Sequence, residues 1–100
     1  MLDTLLIGTI VHHKKYDYRG VIASFDPVCL ADPTWYAKNR TQPSRNQRWY
    51  HILVDNSETT TYVAAENLEP AKIVEPVHHP LLVHFFFTYY HGRYYALALN

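Results

Sequence analysis

The chain lacks most of the features that would tie it to an oxidising compartment, a membrane or a polyanion. Its one cysteine, Cys29, can form no disulfide within the chain, which favours a reducing compartment. The hydrophobic stretch Leu81–Tyr90 carries His84 and is too short to span a membrane, and the N-terminal segment has no basic leader of a signal peptide. The formal net charge is zero, so any attraction to phosphate must come from a local patch.

Patterns of catalysis and metal binding are also missing. The sequence has no glycine-rich phosphate loop, no Ser/His/Asp or Cys/His arrangement and no paired carboxylates. Cys29 has no activating partner in view and is expected to be a buried structural thiol. Each of the pairs His12–His13 and His78–His79 can offer one ligand only, because neighbours on a strand point to opposite faces, and no zinc spacing completes them. We therefore expect neither an enzyme nor a metal or cofactor site.

The stretch Trp49–Pro70 carries the clearest structural signal. Trp49–Asp55 alternates with period two and contains aromatic and β-branched residues, which predicts a strand with Trp49, His51 and Leu53 on one face. The polar segment Asp55–Glu58 separates it from a second β-rich run, so we expect a hairpin with a four-residue or bulged turn. A 3₁₀-like turn closes this hairpin and places Leu68 in the core.

Capping residues, glycines and hydrophobic periodicity predict the other strands and helices. They are strands at Leu5–His13, Tyr18–Asp26 and Ala71–Val74, a helix that Asp32 caps and that ends near Asn39, and a helix from His79–Pro80 to Gly92. Gly8 and Gly20 indicate bends or the close approach of another backbone. The polar segment Thr41–Arg48 is a loop. It ends the connection from Val28 to Arg48, and a connection of about twenty residues is usually functional or carries structure of its own.

Five short strands with bends predict an all-β fold, a small SH3-like antiparallel barrel with a short helix in a long loop. We expect the barrel to cover residues 1–74 and a hydrophobic C-terminal extension to cover residues 75–100. The extension must pack on the barrel or on a partner, since a bare Phe85–Phe87 surface would aggregate, and a homo-oligomer is one expected assembly.

Several motifs, in order, resemble the YccV-like or HspQ family. They are the opening run Val11–Ile22, the block Asp26–Cys29, the pair Trp35–Tyr36, the run Asn46–Asp55 and the closing run Tyr62–Pro70. The resemblance covers roughly Ile7 to Pro70. The family includes the heat shock protein HspQ, described as a hemimethylated-DNA-binding protein, and also occurs as the C-terminal domain of some F-box proteins.

The resemblance implies an SH3-like barrel, a cytoplasmic location and, for bacterial members, a role in the stress response. It also implies one of two activities, which are binding of hemimethylated DNA and presentation of substrates to the Lon protease or enhancement of its activity. The block Asp26–Cys29 and the tail around His79–Pro80 are more similar to the F-box-associated branch. That similarity adds a substrate-binding domain to the implied roles.

Two groups of basic residues predict where DNA would be bound. The predicted contacts are Lys14, Lys15 and Arg19 near the first turn, and Lys38, Arg40, Arg45, Arg48 and Trp49 in or beside the long loop. If both groups lie on one face, Tyr16, Tyr18 and Trp35 join Trp49 as stacking surfaces for bases. A solvated loop explains the same charges, and no residue pattern by itself indicates a methyl-reading pocket.

Two hypotheses of different class follow. The first is a protein that binds double-stranded, hemimethylated DNA through the basic, aromatic-lined loop. The second is a protein-interaction module in proteolysis, which is a protease adaptor or a domain that binds client proteins. The first predicts binding that weakens steeply with salt, and the second predicts contacts through apolar surface.

Overall fold

A computed structural model describes residues 5–96, and the regular secondary structure of this part of the chain consists mainly of antiparallel strands. The strands are β1 (Ile10–His13), β2 (Arg19–Asp26), β3 (Trp49–Val54), β4 (Thr60–Ala64), β5 (Leu68–Pro70), β6 (Phe86–Tyr90) and β7 (Arg93–Ala96). The helices are α1 (Pro33–Lys38) and α2 (Leu82–Phe85), and a 3₁₀ turn covers Ala65–Asn67. The all-β prediction is confirmed.

Five strands form one antiparallel sheet in the order β4-β3-β2-β1-β5, and β6 and β7 form a separate hairpin. Within residues 5–96 no ladder joins β4 to β5, so the sheet is open at both ends rather than a fully closed barrel. The 3₁₀ turn Ala65–Asn67 leads from one end strand to the other. In this part of the chain, the outer edge of β4 therefore has no strand beside it.

Both faces of the five-stranded sheet are buried. One cluster contains Ile10, Val21, Ala23, Leu53, Ala71, Val77, Phe86 and Tyr94, and a second contains Val11, Ile22, Tyr50, Ile52, Val63 and Leu68. Neighbouring residues of β1 and β2 enter different clusters because side chains alternate along a strand. This burial on two sides explains why the apolar runs of these strands are continuous.

The C-terminal hairpin packs on the first cluster through Phe86 and Tyr94. Gly8, with φ of +92°, is required at the contact, because a Cβ atom there would lie 1.9 Å from the carbonyl oxygen of Tyr94. The Tyr94 N–H also donates to the Gly8 carbonyl at 2.9 Å. The domain division at residue 74 stays a prediction, and residues on both sides of it share this cluster.

Several local predictions are confirmed. Asp32 caps α1 by accepting from the Trp35 N–H at 2.8 Å, and α1 ends at Lys38. Cys29 and Leu68 are buried. An added Cβ at Gly20 would lie 2.6 Å from the Leu53 carbonyl oxygen, so another backbone does approach closely there.

Two predicted elements near the C-terminus are wrong. Ala71–Val74 is not a strand, and Leu68–Pro70 pairs with β1 instead. The helix predicted from His79–Pro80 to Gly92 is limited to the single turn α2, and the aromatic run after it forms β6. The reason is the turn at His91 and Gly92, whose φ angles of 50° and 78° suit a two-residue hairpin, together with the high strand propensity of Phe and Tyr.

Candidate binding groove at the edge of the sheet

A groove of about 740 Å³ lies along β4, between this strand and the long connection, which we define as residues 27–48. Its lining is His13, Tyr16, Tyr18, Asp26, Leu30, Ala31, Asp32, Trp35, Asn39, Thr41, Pro43, Trp49, His51, all five residues of β4, and Asn67. Within residues 5–96 the lining is rich in aromatic rings, contains two carboxylates and contains no lysine or arginine. It therefore differs in charge from the basic loop that the sequence emphasises.

Within residues 5–96, the outer main-chain edge of β4 is not paired with another strand. Two hydrogen bonds set the pairing: the Ala65 N–H donates to the Arg48 carbonyl at 2.9 Å, and the Val54 N–H donates to the Thr59 carbonyl at 3.1 Å. Because bonded pairs alternate in an antiparallel ladder, odd-numbered residues of β4 bond to β3 and even-numbered ones face away. The outward main-chain groups belong to Thr60, Tyr62 and Ala64, and in residues 5–96 none of them has a main-chain hydrogen-bond partner. Ala64 is 1% exposed, so a ligand can reach only the groups of Thr60 and Tyr62.

The far wall of the groove is held in place by hydrogen bonds within the long connection. The Arg45 guanidinium donates to the carbonyls of Ala31 and Cys29 at 2.5 and 3.4 Å and lies 4.9 Å from the centre of the Tyr36 ring. The Tyr36 hydroxyl donates to the Pro43 carbonyl at 2.7 Å. These contacts make the connection an ordered wall and not a solvated loop.

Tyr62 joins this wall to the sheet. Its hydroxyl accepts from the Leu30 N–H at 3.0 Å and donates to Oδ2 of Asp26 at 2.6 Å. Partial burial, helped by the hydrogen bond to Asp26, raises the pKa of Tyr62 to about 12, so the hydroxyl stays protonated at neutral pH. The Trp35 ring meets the Tyr62 ring at 64°, with the ring centres 5.7 Å apart. We call the group Asp26, Asp32, Trp35 and Tyr62 the acidic aromatic end.

The opposite end of the groove is formed by the turn after β1. The Tyr18 hydroxyl is hydrogen-bonded to Thr61 Oγ1 at 2.7 Å, and His13 Nδ1 accepts from the N–H groups of Lys15 and Tyr16, both at 3.1 Å. Burial, with the nearby charges of His12 and Lys15, lowers the pKa of His13, so its ring is neutral at pH 7 and able to accept.

The predicted DNA contacts lie in three environments: some are exposed, some form contacts within the molecule, and one is fully buried. Lys14, Lys15, Lys38 and Arg40 are exposed, and the Arg40 guanidinium lies 5.8 Å from the centre of the Tyr16 ring. The first turn and the long connection therefore meet at one rim of the groove, which is the arrangement that a shared basic face requires. Whether this rim contacts DNA stays a prediction.

The other predicted contacts are engaged inside the molecule. Arg19 and Arg45 donate to main-chain carbonyls, and Arg48 lies 4.2 Å from the centre of the Phe25 ring. Trp49 is fully buried, so its prediction as a stacking surface for bases is corrected: the packing of Trp35, Tyr36 and Tyr62 around it leaves no face for a ligand.

No binding role was predicted from the sequence for Asp26, Tyr62 or the outer edge of β4. The missing signal is topological: a 3₁₀ turn follows the second strand of the central hairpin, and no further strand of residues 5–96 pairs with it. No group of three metal-ligating side chains occurs in the part of the chain that the structure describes. Among these residues, no helix combines the length and the hydropathy that crossing a bilayer takes.

The observations define a small all-β domain with a binding groove at one sheet edge. The chain matches the family model for hemimethylated DNA-binding proteins of the YccV-like type over residues 5–93, and it belongs to that family. It is similar to F-box only protein 21 of Homo sapiens and of Pongo abelii, with 32% identity over 77 residues, and to that of Mus musculus, with 31% identity. The match covers 74% of this chain and 12% of each relative, so the chain corresponds to a small part of those proteins.

Proposed function

We propose that the chain is a protein-interaction domain that binds an extended segment of a partner polypeptide along β4. The observation that carries this proposal is the free edge of β4 facing a groove. Two accessible outward-facing residues, Thr60 and Tyr62, offer main-chain donors and acceptors at the start and middle of the strand. An added strand would pair with them while its side chains contact the aromatic walls, which is the recognised mode of β-augmentation.

The charge of the groove supports a polypeptide over a nucleic acid as its occupant. Asp26 and Asp32 lie in the lining, and no lysine or arginine of residues 5–96 does. A phosphate backbone in this groove would meet carboxylates without a compensating cation, which is unfavourable. The formal net charge of zero adds no long-range attraction.

The similarity to F-box only protein 21 supports a role as the recognition domain of a larger protein or assembly. In this proposal the domain presents client proteins for degradation in the cytoplasm, as a protease adaptor or a substrate-binding domain would. The groove supplies affinity through main-chain pairing, so it can accept different client sequences.

The experiment that tests the proposal removes one outward N–H. Thr60→Pro deletes a main-chain donor that faces the groove and leaves the ladder with β3 intact, because the Thr60 N–H points away from β3. The matched control is Thr60→Val, which changes the side chain but keeps the N–H. The ligand is the consensus peptide selected from a display library of random ten-residue sequences.

We expect Thr60→Pro to weaken binding of that peptide by about tenfold or more and Thr60→Val by less than about threefold, the range expected for the loss of one buried hydrogen bond. Amide exchange at Tyr62 should also slow when the peptide is bound. If no peptide is enriched, or if the bound peptide leaves exchange on β4 unchanged, the proposal is wrong.

DNA binding is the second candidate, favoured by the family description and by the exposed cations Lys14, Lys15 and Arg40 at one rim of the groove. Labelled hemimethylated, fully methylated and unmethylated duplexes at two salt concentrations test it. Binding of all three duplexes that falls with salt would indicate phosphate contacts only, and tighter binding of the hemimethylated duplex would indicate methyl reading. No binding at low salt would eliminate this candidate.

A further inference from the structure

We infer that the acidic aromatic end of the groove is a subsite for one basic side chain, lysine or arginine, of the bound segment. This inference rests on the proposed binding of a polypeptide along β4 and names what that polypeptide must carry. The cation would lie against the Trp35 and Tyr62 rings and donate hydrogen bonds to Asp26. Three features support it: the arrangement of the aromatic rings, the charge of this end of the groove, and the carboxylate oxygen of Asp26 that has no hydrogen-bond partner in residues 5–96.

The rings form a corner rather than a flat surface. Trp35 is 39% exposed, and its ring plane stands at 64° to that of Tyr62 and at 72° to that of the buried Trp49. Because the rings meet at such angles, one ligand group can contact both the Trp35 ring and the Tyr62 ring. A cation held against indole and phenol faces is attracted by the negative potential above the rings, and tryptophan is the best of these surfaces.

The charge of this end is negative at neutral pH. Asp26 and Asp32 supply two carboxylates, and within the described residues the lining contains no lysine or arginine to neutralise them. The hydroxyl of Tyr62 is a hydrogen-bond donor to Asp26 with a pKa of about 12, so it removes no charge from the carboxylate. An apolar or acidic side chain would desolvate these carboxylates without adding a cation to their contacts with Tyr62, His51 and the Trp35 N–H, whereas a basic one would add an ion pair.

Asp26 has one oxygen available for such a ligand. Both of its side-chain contacts in the described residues, from the Tyr62 hydroxyl at 2.6 Å and with His51 Nε2 at 3.3 Å, involve Oδ2. Oδ1 has no hydrogen-bond partner in residues 5–96. The Tyr62 contact fixes the orientation of the carboxylate, and Asp26 belongs to the lining of the groove.

The test combines peptide and protein variants. The peptide is the consensus from the display library. A control peptide carries norleucine in place of the basic residue, which keeps the apolar stem and removes the charge. The protein variants are Asp32→Asn, which keeps the capping group of α1, Asp26→Asn, which removes the charge at the subsite, and Trp35→Leu. The control Glu58→Gln removes an exposed carboxylate in the turn between β3 and β4, outside the groove lining.

We expect lysine or arginine to be enriched at one position of the selected peptides. Asp26→Asn and Trp35→Leu should each weaken binding of the basic peptide by about five- to tenfold, and Asp32→Asn by about twofold, in keeping with cation–π and partly screened ion pairs. The norleucine peptide should respond to Asp26→Asn by less than about twofold, so the two changes are coupled. Glu58→Gln should leave both affinities unchanged.

The outcomes separate this inference from the proposal beneath it. Peptides that depend on the Thr60 N–H but show no basic preference, or that select proline or an apolar residue at that position, would overturn the subsite and leave the β4 proposal standing. Equal losses for the basic and norleucine peptides in Asp26→Asn would also overturn it, since they would indicate a structural role for Asp26. Failure to select any peptide would contradict the proposed function itself.

Discussion

The cations of this domain fall into two sets that the sequence does not distinguish. Arg19 and Arg45 are partly buried and donate to main-chain carbonyls far along the chain, whereas Lys14, Lys15 and Arg40 are exposed at a rim of the groove. The first set stabilises the fold, and only the second set is free to meet a ligand. The difference depends on position in the fold. Arg19 and Arg45 lie within reach of several main-chain carbonyls, which their five N–H donors suit, whereas Arg40 carries the same group at the rim beside Tyr16.

Arg19 shows how much structure one such side chain connects. It forms an ion pair with Asp55 at 2.8 Å and donates to the carbonyls of Ile73 and Glu75 at 2.8 and 2.9 Å. Asp55 also accepts from the His78 N–H at 2.7 Å. Burial alone would raise the pKa of Asp55, but the hydrogen bonds from His78 and Arg19 outweigh it and lower that pKa. The pair therefore attaches residues 73–78, which lead to β6, to the sheet.

The largest effect is expected from breaking this pair. Arg19→Ala should lower the free energy of unfolding by about 2–3 kcal/mol, because it leaves a largely buried carboxylate and several carbonyls without their donor. Lys38→Ala, at an exposed helix end, should change it by less than about 0.5 kcal/mol. Urea unfolding followed by tryptophan fluorescence measures both. Equal stabilities of the two variants would contradict the division into two sets.

Arg45 gives a second test of the difference between the engaged and the exposed cations, because it stabilises the wall of the groove and not the core. Arg45→Ala should lower the free energy of unfolding by about 1–2 kcal/mol, because the variant cannot donate to the carbonyls of Ala31 and Cys29 or pack on the Tyr36 ring. Since the far wall of the groove would then lose its support, peptide affinity should fall as well. Arg40→Ala is the matched control and should leave stability unchanged. Retained peptide binding in Arg45→Ala would show that the wall does not depend on this anchor.

Local signals in the sequence predicted the central part of the fold. The hairpin Trp49–Pro70, the helix capped by Asp32 and the burial of Cys29 depend on neighbours in sequence or on hydrophobicity alone. The predictions for the segment after Pro70 were wrong for a physical reason. The spacing of Leu82 and Phe85 suits a helix, but the turn at His91 and Gly92 allows the aromatic run to pair as a hairpin. Tertiary packing decided between two locally acceptable structures.

The groove could be predicted only in part. The sequence indicated that the long connection is functional or structured and that Tyr16, Tyr18 and Trp35 are available surfaces, and these residues do line the groove. It could not show that Arg45 reaches back to Ala31, or that the edge of β4 stays unpaired within residues 5–96. Both facts depend on contacts between segments distant in sequence, which composition and spacing do not encode.

A third kind of cation, one that depends on pH, extends the comparison. His12 lies between Asp17 and Glu69, at 2.5 and 2.7 Å, and its hydrogen bonds to these carboxylates raise its pKa. Its stabilising contribution is therefore complete below pH 6.5 and is lost as the pH rises through the folded-state value. The pKa of His13 is lowered, so its neutral ring favours the fold, and stability falls as the pH drops below 6.5.

These two histidines predict a stability maximum near pH 6.5, the unperturbed value between their two windows. His12→Gln should remove the loss of stability above about pH 6.5 that His12 causes and keep the loss of stability below about pH 6.5 that His13 causes. Thermal unfolding across about pH 5 to 9 would measure both. Asp17→Asn and Glu69→Gln are the partner variants and should each reduce the same slope. Parallel profiles of the wild type and His12→Gln above about pH 6.5 would show that the ion pairs contribute nothing.

The exposed rim should have the smallest effect on folding, and this makes it the cleanest test of the DNA hypothesis. Replacing Lys14, Lys15 and Arg40 by glutamine removes three charges with little expected change in the free energy of unfolding, because none of the three makes an ion pair in residues 5–96. If the rim binds phosphates, the slope of log affinity against log salt should become shallower by about 0.9 for each phosphate that the variant no longer neutralises. Peptide binding along β4 should keep its affinity in the same variant. If the triple glutamine variant fails to bind the peptide but binds DNA with an unchanged salt dependence, the rim contributes to peptide binding and not to DNA binding.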